Sequence, residues 1–386
     1  MGSEMCIRDR VVLCPESTPQ NDSKFDPKLV DKDHCRTIRI PYNISATRRR
    51  IDFFVRKALK ELSLEVLLFR SPLRIYRDLL ARADSLLQQE HFDVILATTP
   101  SPLALVVADK MSRKYHTPWV ADFRDIPAQH IANLPRFSPR HLYIKQHKKF
   151  CKSASALITV SEPLVNRLAN WLNKSAYLVY NGFDPGDFQK DLEPEKDLFI
   201  IVYCGAIHSN SNPKAFVDAL DLILQREPGK LERFRLLIHG VSKICFRRHF
   251  ANRRCSHLIH NMGRVSFYDS IKAQQEACSL LFLLSPGVEG LLSAKIFEYM
   301  YAGRPILSVP GDNGGLSDAL LEETQTGLAA RTAKDVADIL VDWIDQWERT
   351  GKVECNPRQD KILFYTRENQ TKRLAQILDQ VSMANS

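Results

Sequence analysis

Apolar and polar positions along this chain follow two rhythms that keep replacing one another. Short apolar runs, the length of a buried strand, give way to stretches with apolar residues at three- and four-residue spacing, as on a helix packed along one face. Val11-Val-Leu-Cys14 is the first such run, and Thr37-Ile-Arg-Ile40, closed by Pro41, is the second. Ile51, Phe54, Val55, Ala58, Leu59 and Leu62 then recur at helical spacing. Ser71-Pro72 supplies an N-cap and a first helical residue for a helix running towards Glu90. Val94-Ile-Leu-Ala97 predicts a buried strand, followed after Thr98-Thr-Pro-Ser-Pro102 by an apolar helix, and Trp119 to Ala121 predicts another strand. Helix, strand and helix alternate again through 140–172.

Residues 184–197 are rich in Asp, Glu and Pro and read as an exposed linker. The pattern restarts with Phe199-Ile-Ile-Val-Tyr-Cys204, nearly all apolar, as expected of a parallel strand buried on both faces. Strand and helix alternate through 232–240, 256–284 and 305–329, and 358–383 read as terminal helices. Two such arrays joined by a linker predict an α/β protein of two doubly wound domains facing across a cleft.

One stretch of the second array carries chemistry. The strand predicted from Leu280 to Leu284 ends in Ser285-Pro-Gly287, and a helix then opens near Ser293 and closes at Gly303 before Arg304-Pro305. A helix that opens just after a parallel strand directs its free N–H groups and positive dipole end at the ligand crevice. Lys295 sits in its first turn and Glu298 one turn further on the same face. A cation beside an anion-binding helix start, with a carboxylate a turn away, suits a nucleoside diphosphate: lysine to a phosphate, glutamate to the ribose hydroxyls. Taken alone, the pair also fits a surface helix with an i,i+3 ion pair.

The 386 residues suffice for two domains with full cores, and 44% hydrophobic with 26% charged residues is ordinary for a globular protein. No apolar run approaches the span of a membrane helix. Nine cysteines, odd in number and without Cys-x-x-Cys spacing, argue for a reducing compartment and against a disulfide framework or zinc site. Charge is uneven: residues 1–186 carry 29 Lys+Arg against 19 Asp+Glu (29 − 19 = +10), and 187–386 carry 25 against 26 (25 − 26 = −1). The excess in the first half suits an anionic partner, such as a membrane surface, a polyanion or a phosphorylated acceptor, or else a basic solvated surface. Arg48-Arg-Arg50, Arg56, Lys57, Lys60, Arg70, Arg74 and Arg77 lie on two adjacent amphipathic helices of the kind that dock on anionic lipid or simply face a core. No basic-aromatic motif of a nucleic-acid reader is present. Ser3-Glu-Met-Cys-Ile-Arg-Asp-Arg10 reads as translated adapter sequence, which makes residues 1–10 a non-native leader.

The segment around Lys295 resembles the donor-binding signature of retaining glycosyltransferases of family 4, which have the GT-B fold of two Rossmann-like doubly wound domains. Further stretches agree in the same order. Trp119-Val-Ala-Asp-Phe-Arg-Asp125 resembles the acceptor-facing strand end of one bacterial branch, and Ala156-Leu-Ile-Thr-Val-Ser161 the strand and serine that follow. Val179-Tyr-Asn-Gly-Phe-Asp184 resembles the Asn-Gly-hydrophobic-Asp signature at the interdomain crossing. Tyr203-Cys-Gly-Ala-Ile207, with Asn212-Pro-Lys214, resembles the first strand and turn of the donor domain.

This resemblance implies an acceptor-side domain over 11–184, a nucleotide-sugar donor domain over 185–355 and C-terminal helices over 356–386 that cross back to the first domain. Val11-Val-Leu-Cys14 would match the family's second strand, so that its opening strand is not represented. The implied activity is transfer of a sugar, with retention and without a metal, from a UDP- or GDP-linked donor to a glycan or lipid-linked hydroxyl acceptor, at the inner face of a cell membrane in surface polysaccharide or glycolipid assembly. No cofactor beyond the nucleotide-sugar is implied.

The implied donor residues are Gly205, Lys214, Arg264, Val265, Ser293, Lys295 and Glu298; the implied catalytic residues are Asp125, Arg124 and Lys295. Gly205 lets the backbone approach a phosphate, Lys214 assists at the diphosphate, and Gly263-Arg-Val265 reads the nucleobase edge through its backbone. Asp125 would orient or deprotonate the acceptor hydroxyl, with Arg124 on a phosphate or on the aspartate; a structural Asp–Arg pair fixing the loop is the alternative. His130 lies nearby as a surface-loop histidine. Ala206 stands where many members have arginine. Gly290 stands where they have a sugar-contacting glutamate, with Glu289 one residue out of register. A nucleotide-sugar epimerase and a non-catalytic nucleotide-binding scaffold are the rival readings.

Overall fold

A computed structural model describes residues 11–15, 36–40, 74–99, 102–124, 145, 147–190, 192–207, 213–284, 290 and 292–384. The chain divides into two units, Met1–Tyr180 with Thr371–Ser386, and Asn181–Gln370.

In the first unit β1 (Val11–Pro15) pairs with β2 (Arg36–Ile40), and helix α1 (Arg74–Gln89) leads to β3 (Ile95–Thr98). Helix α2 (Pro102–Tyr115), β4 (Trp119–Phe123), β5 (Ala156–Thr159), α3 (Glu162–Leu172) and β6 (Ala176–Leu178) follow. β3, β4, β5 and β6 form one parallel sheet in that order, and β1 and β2 a second. Leu105 and Ala108 of α2 and Leu164 and Leu168 of α3 pack with Trp119, Ala121 and Leu157 on one face of the larger sheet. Ile377, Leu378 and Val381 of the last helix pack with Val120, Ala156 and Ile158 on the other. β4 and β5, covered on both sides, are therefore buried at every position, including Asp122 and Thr159. The run at 94–97 departs from its expected burial: only Ala97 is buried, and Leu96 is 39% exposed. Among the described residues β3 is the outer strand of its sheet.

The second unit begins with β7 (Phe199–Cys204), α4 (Lys214–Arg226), β8 (Phe234–His239), α5 (Lys243–Phe250) and β9 (Ile259–Gly263). It continues with α6 (Phe267–Glu276), β10 (Ser279–Leu283), α7 (Ala294–Ala302), β11 (Ile306–Val309), α8 (Leu316–Thr324), β12 (Gly327–Ala329), α9 (Ala333–Thr350) and α10 (Gln359–Leu363); the last helix, α11 (Arg367–Met383), begins in this unit and belongs to the first from Thr371 on. Its six strands are parallel in the order β12-β11-β10-β7-β8-β9. The chain winds outward from β7 through β8 and β9, then returns to β10 on the other side and winds outward again. The order thus reverses between β7 and β10, and such a switch point opens a crevice beyond the carboxyl ends of the two strands. Helices α4 and α9 cover the face carrying Phe199, Ile201 and Tyr203. A reciprocal Thr332–Asp335 capping box starts α9, and Gly351 in the left-handed region ends it.

Candidate functional site

Helix α7 follows β10 and opens at the switch point. Ser293 is its N-cap in extended conformation, but the Ser293 hydroxyl makes no capping bond. Gly303, at φ 74°, closes it. Ile296, Phe297, Tyr299, Met300 and Ala302 are buried, which anchors the helix and leaves Lys295 and Glu298 half-buried on one face.

Lys295 is held from below by the neighbouring strand. Its Nζ donates to the Tyr203 hydroxyl at 3.2 Å and lies 4.5 Å from the centroid of the Tyr203 ring. That hydroxyl in turn donates to the Ala206 carbonyl at 2.9 Å. Burial pushes the Lys295 ammonium down to about 8 from an ordinary 10.5, against the opposing pull of Cys204 and Glu298. Gly205 follows β7 at φ +132°, and a Cβ there would lie 2.6 Å from Lys295 Nζ. Both the backbone angle and the seat of the lysine require glycine.

Among the described residues no ion pair joins Lys295 to Glu298, and the Glu298 carboxylate has no hydrogen-bond partner. The alternative of a surface helix with an i,i+3 pair is set aside: the helix is buried and its two charged groups are not paired. Burial raises the Glu298 carboxyl, Arg367 lowers it, Asp187 raises it, and Lys295 lowers it.

Arg367 ties this corner to the motif at 181–184. Its backbone N–H donates to Phe183 O at 2.8 Å, its Nε to Gly182 O at 3.3 Å, and its Nη1 lies 3.7 Å from Asp187 Oδ2. Gly182 must be small, since a Cβ there would sit 2.4 Å from the Tyr365 carbonyl oxygen. Phe183 stacks on Tyr301 of α7 with centroids 4.5 Å apart, and Asp184 accepts from Gly186 N–H at 2.9 Å. The Asn-Gly-Phe-Asp motif therefore braces the helix that carries Lys295 and Glu298.

Arg264 and Val265 lie in the loop between β9 and α6, with Arg264 exposed and Val265 half-buried. That loop begins at the same sheet end as Gly205: Gly205 N–H donates to His239 O at 2.9 Å, and Gly240 N–H to Gly263 O at 2.6 Å. Lys214 opens α4, but its ammonium is bonded to Asp218 along its own helix and is largely exposed. Asp218 also receives Arg253.

In the first unit Asp122, near the carboxyl end of β4, is buried. Its Oδ2 accepts from Arg124 Nε at 2.9 Å and from the Thr98 hydroxyl at 3.2 Å. Burial raises the Asp122 carboxyl in spite of Arg124. Arg124 Nη1 donates to Val179 O at 3.3 Å, so its guanidinium joins the end of β4 to the residue that follows β6. Asp125, His130, Asn212 and Glu289 lie outside the described residues, as do residues 1–10 and the basic positions from Arg48 to Arg70.

The sequence reading missed Tyr203, Asp187 and Arg367. A hydroxyl inside an otherwise apolar strand was the available signal for Tyr203, because a buried phenol needs a partner. Arg367 and Asp187 meet across a separation that no local pattern reveals. Among the described residues no group of three or more His, Cys, Asp or Glu could hold a metal ion. The one Asp-x-Asp triplet of the sequence, Asp31-Lys-Asp33, lies outside them. No described helix is long and apolar enough to cross a membrane.

Residues 11–187 match the family model Glycosyltransferase Family 4, and residues 199–346 match Glycosyl transferases group 1. No curated protein sequence matches the chain. Among solved structures, a glycosyltransferase from Rickettsia africae superposes with TM-score 0.64 at 14% identity, covering 98% of this chain and 91% of that one. The sucrose-phosphate synthase of Thermosynechococcus elongatus gives 0.59 at 12% identity, covering 97% and 89%. HepE of Anabaena, in complex with UDP-glucose, gives 0.57 at 13% identity, covering 97% and 98%. At these identities the likeness establishes the GT-B fold.

Proposed function

We propose that this chain, which has the GT-B fold and matches Glycosyltransferase Family 4 over residues 11–187 and Glycosyl transferases group 1 over 199–346, moves a sugar from a UDP- or GDP-linked donor to a hydroxyl acceptor with retention and without a metal. The observation that carries this reading is the pairless Lys295–Glu298 face of α7, opening at the switch point of the second unit. The cation and the uncapped helix start would take the diphosphate, and Glu298 the ribose hydroxyls. As the sugar leaves, negative charge grows on the diphosphate, and a preorganised ammonium beside a helix dipole stabilises it. Gly205 keeps the phosphate approach open, Arg264 and Val265 border the base, and Lys214 would help only after leaving Asp218.

Asp125 would orient or deprotonate the acceptor hydroxyl, on a strand end that Arg124 and Asp122 hold in place. HepE was solved with UDP-glucose, which favours a uridine nucleotide among the donors. A glycan or lipid-linked acceptor at the cytoplasmic face of a membrane, in surface polysaccharide or glycolipid assembly, completes the reading.

Transfer of radiolabelled sugar from UDP- and GDP-sugars to lipid extracts is the test. Labelled product with release of nucleoside diphosphate is expected. Isomerised sugar without an acceptor would point to an epimerase, and nucleotide binding without turnover to a scaffold.

A further inference from the structure

Residues 233–268 contain eight Lys and Arg and neither Asp nor Glu, inside a half of the chain whose net charge is −1. The structure gathers this stretch at one margin of the second unit: β8, α5 and the outermost strand β9. Lys243, Arg247, Arg248, Arg254 and Arg264 are exposed there. Among the described residues none of these five has an ion-pair partner, whereas Arg253 is engaged by Asp218 and Asp221.

Helix α5 puts its inward side, with Phe250 buried and Cys245 and Phe246 partly buried, against the core. Its outward side carries Ile244, Arg247 and Arg248 at i, i+3 and i+4, beside Lys243. Ile244 is 76% exposed, and Met262 on β9 is 48% exposed. A single exposed apolar residue is unremarkable; an isoleucine ringed by three unpaired cations is a different arrangement.

We propose that this margin docks on an anionic lipid surface. Unpaired cations gain from headgroup charge within a Debye length. The isoleucine at their centre gains by entering the boundary between headgroups and acyl chains. A soluble polyanion would reward the cations and not the isoleucine, and among the described residues the margin exposes no Phe, Tyr or Trp ring for a base to stack on. Helix α5 opens directly after the Gly240–Ser242 turn, at the sheet end that carries Gly205 and Lys295. Docking here brings the mouth of the donor site to the lipid surface, where a lipid-linked acceptor resides. The docking claim itself does not depend on the donor reading.

The test is co-sedimentation of the full chain with vesicles of phosphatidylcholine, with and without phosphatidylglycerol. Binding is expected only with the anionic lipid, falling about tenfold or more from low to high salt. Arg247→Glu with Arg248→Glu should abolish most of it. Lys334→Glu with Lys352→Glu, the same charge change on other exposed positions of the unit, should leave most of it. Ile244→Ser should weaken vesicle binding severalfold and leave binding to heparin unchanged. Thermal unfolding confirms that each variant is folded. Full vesicle binding by the Arg247/Arg248 variant overturns the proposal, as does equal loss in the control. Indifference to Ile244→Ser, with heparin bound as tightly as vesicles, assigns the margin to a soluble polyanion and also overturns it.

Discussion

Gly205 and Lys295 compete for one space, and the lysine holds it: a Cβ on Gly205 would lie 2.6 Å from the ammonium nitrogen and 3.2 Å from Cε. The first predicted consequence is that Gly205→Ala drives Lys295 out of its seat on Tyr203. At φ +132° the alanine is also strained, so stability should fall by about 1–3 kcal/mol. Nucleoside diphosphate affinity should drop about tenfold or more as the cation moves. Calorimetric titration of the folded variant checks this, and an unchanged affinity would mean that Lys295 does not meet the ligand from this seat.

The depressed Lys295 pKa sets an alkaline limit on donor binding. The folded value is about 8 against an ordinary 10.5, so the ammonium is lost in the native protein as pH rises through 8. Between those values the unfolded chain binds more protons, and stability attributable to this group rises with pH. Affinity for UDP or GDP should fall over the same window, by about tenfold per pH unit where binding requires the cation. Lys295→Arg should remove this alkaline fall. A wild-type binding profile that stays flat across it would contradict the assignment.

Arg367 supplies the largest opposition to burial at Glu298. In Arg367→Gln the Glu298 carboxyl should rise further and lose its charge at a higher pH as solutions are acidified. The acid limb of nucleotide binding should move to higher pH, with neutral-pH affinity less affected. If that limb is unmoved, Glu298 does not meet the ligand as a carboxylate.

Phe183 is fully buried and stacked on Tyr301. Phe183→Ala should cost about 3–5 kcal/mol in chemical unfolding. Because the stack braces α7, the folded fraction should also bind nucleotide more weakly. A loss under about 1 kcal/mol, below the range for a packed aromatic, would show that the motif does not brace the helix.

The helix around Lys295 was legible almost to the residue, because a serine before it, a glycine after it and flanking apolar strands are local signals. The parallel strands of the second unit were legible for the same reason, with β10 displaced by one residue from Leu280–Leu284 to Ser279–Leu283. The seat of Lys295 was not, because Tyr203 reaches it across a strand and a helix far apart in sequence. The exposure of Leu96 depends on which strand lies beside β3, and no local pattern encodes that. The contacts of Arg124 with Asp122 and with the Val179 carbonyl were not legible either, the second because it joins residues far apart in sequence. The basic margin at α5 was hidden by averaging, since acidic residues elsewhere bring the second half to −1.

Equilibrium titration of UDP and GDP into three proteins, the wild type, Lys295→Ala and Glu298→Ala, tests most directly whether Lys295 and Glu298 form a donor-binding pair. Each substitution should weaken binding by about 1–3 kcal/mol, the worth of a lost charge-assisted hydrogen bond, with the unfolding midpoint little changed. Wild-type affinity in both folded variants, for a nucleotide that the wild type binds, would contradict the account.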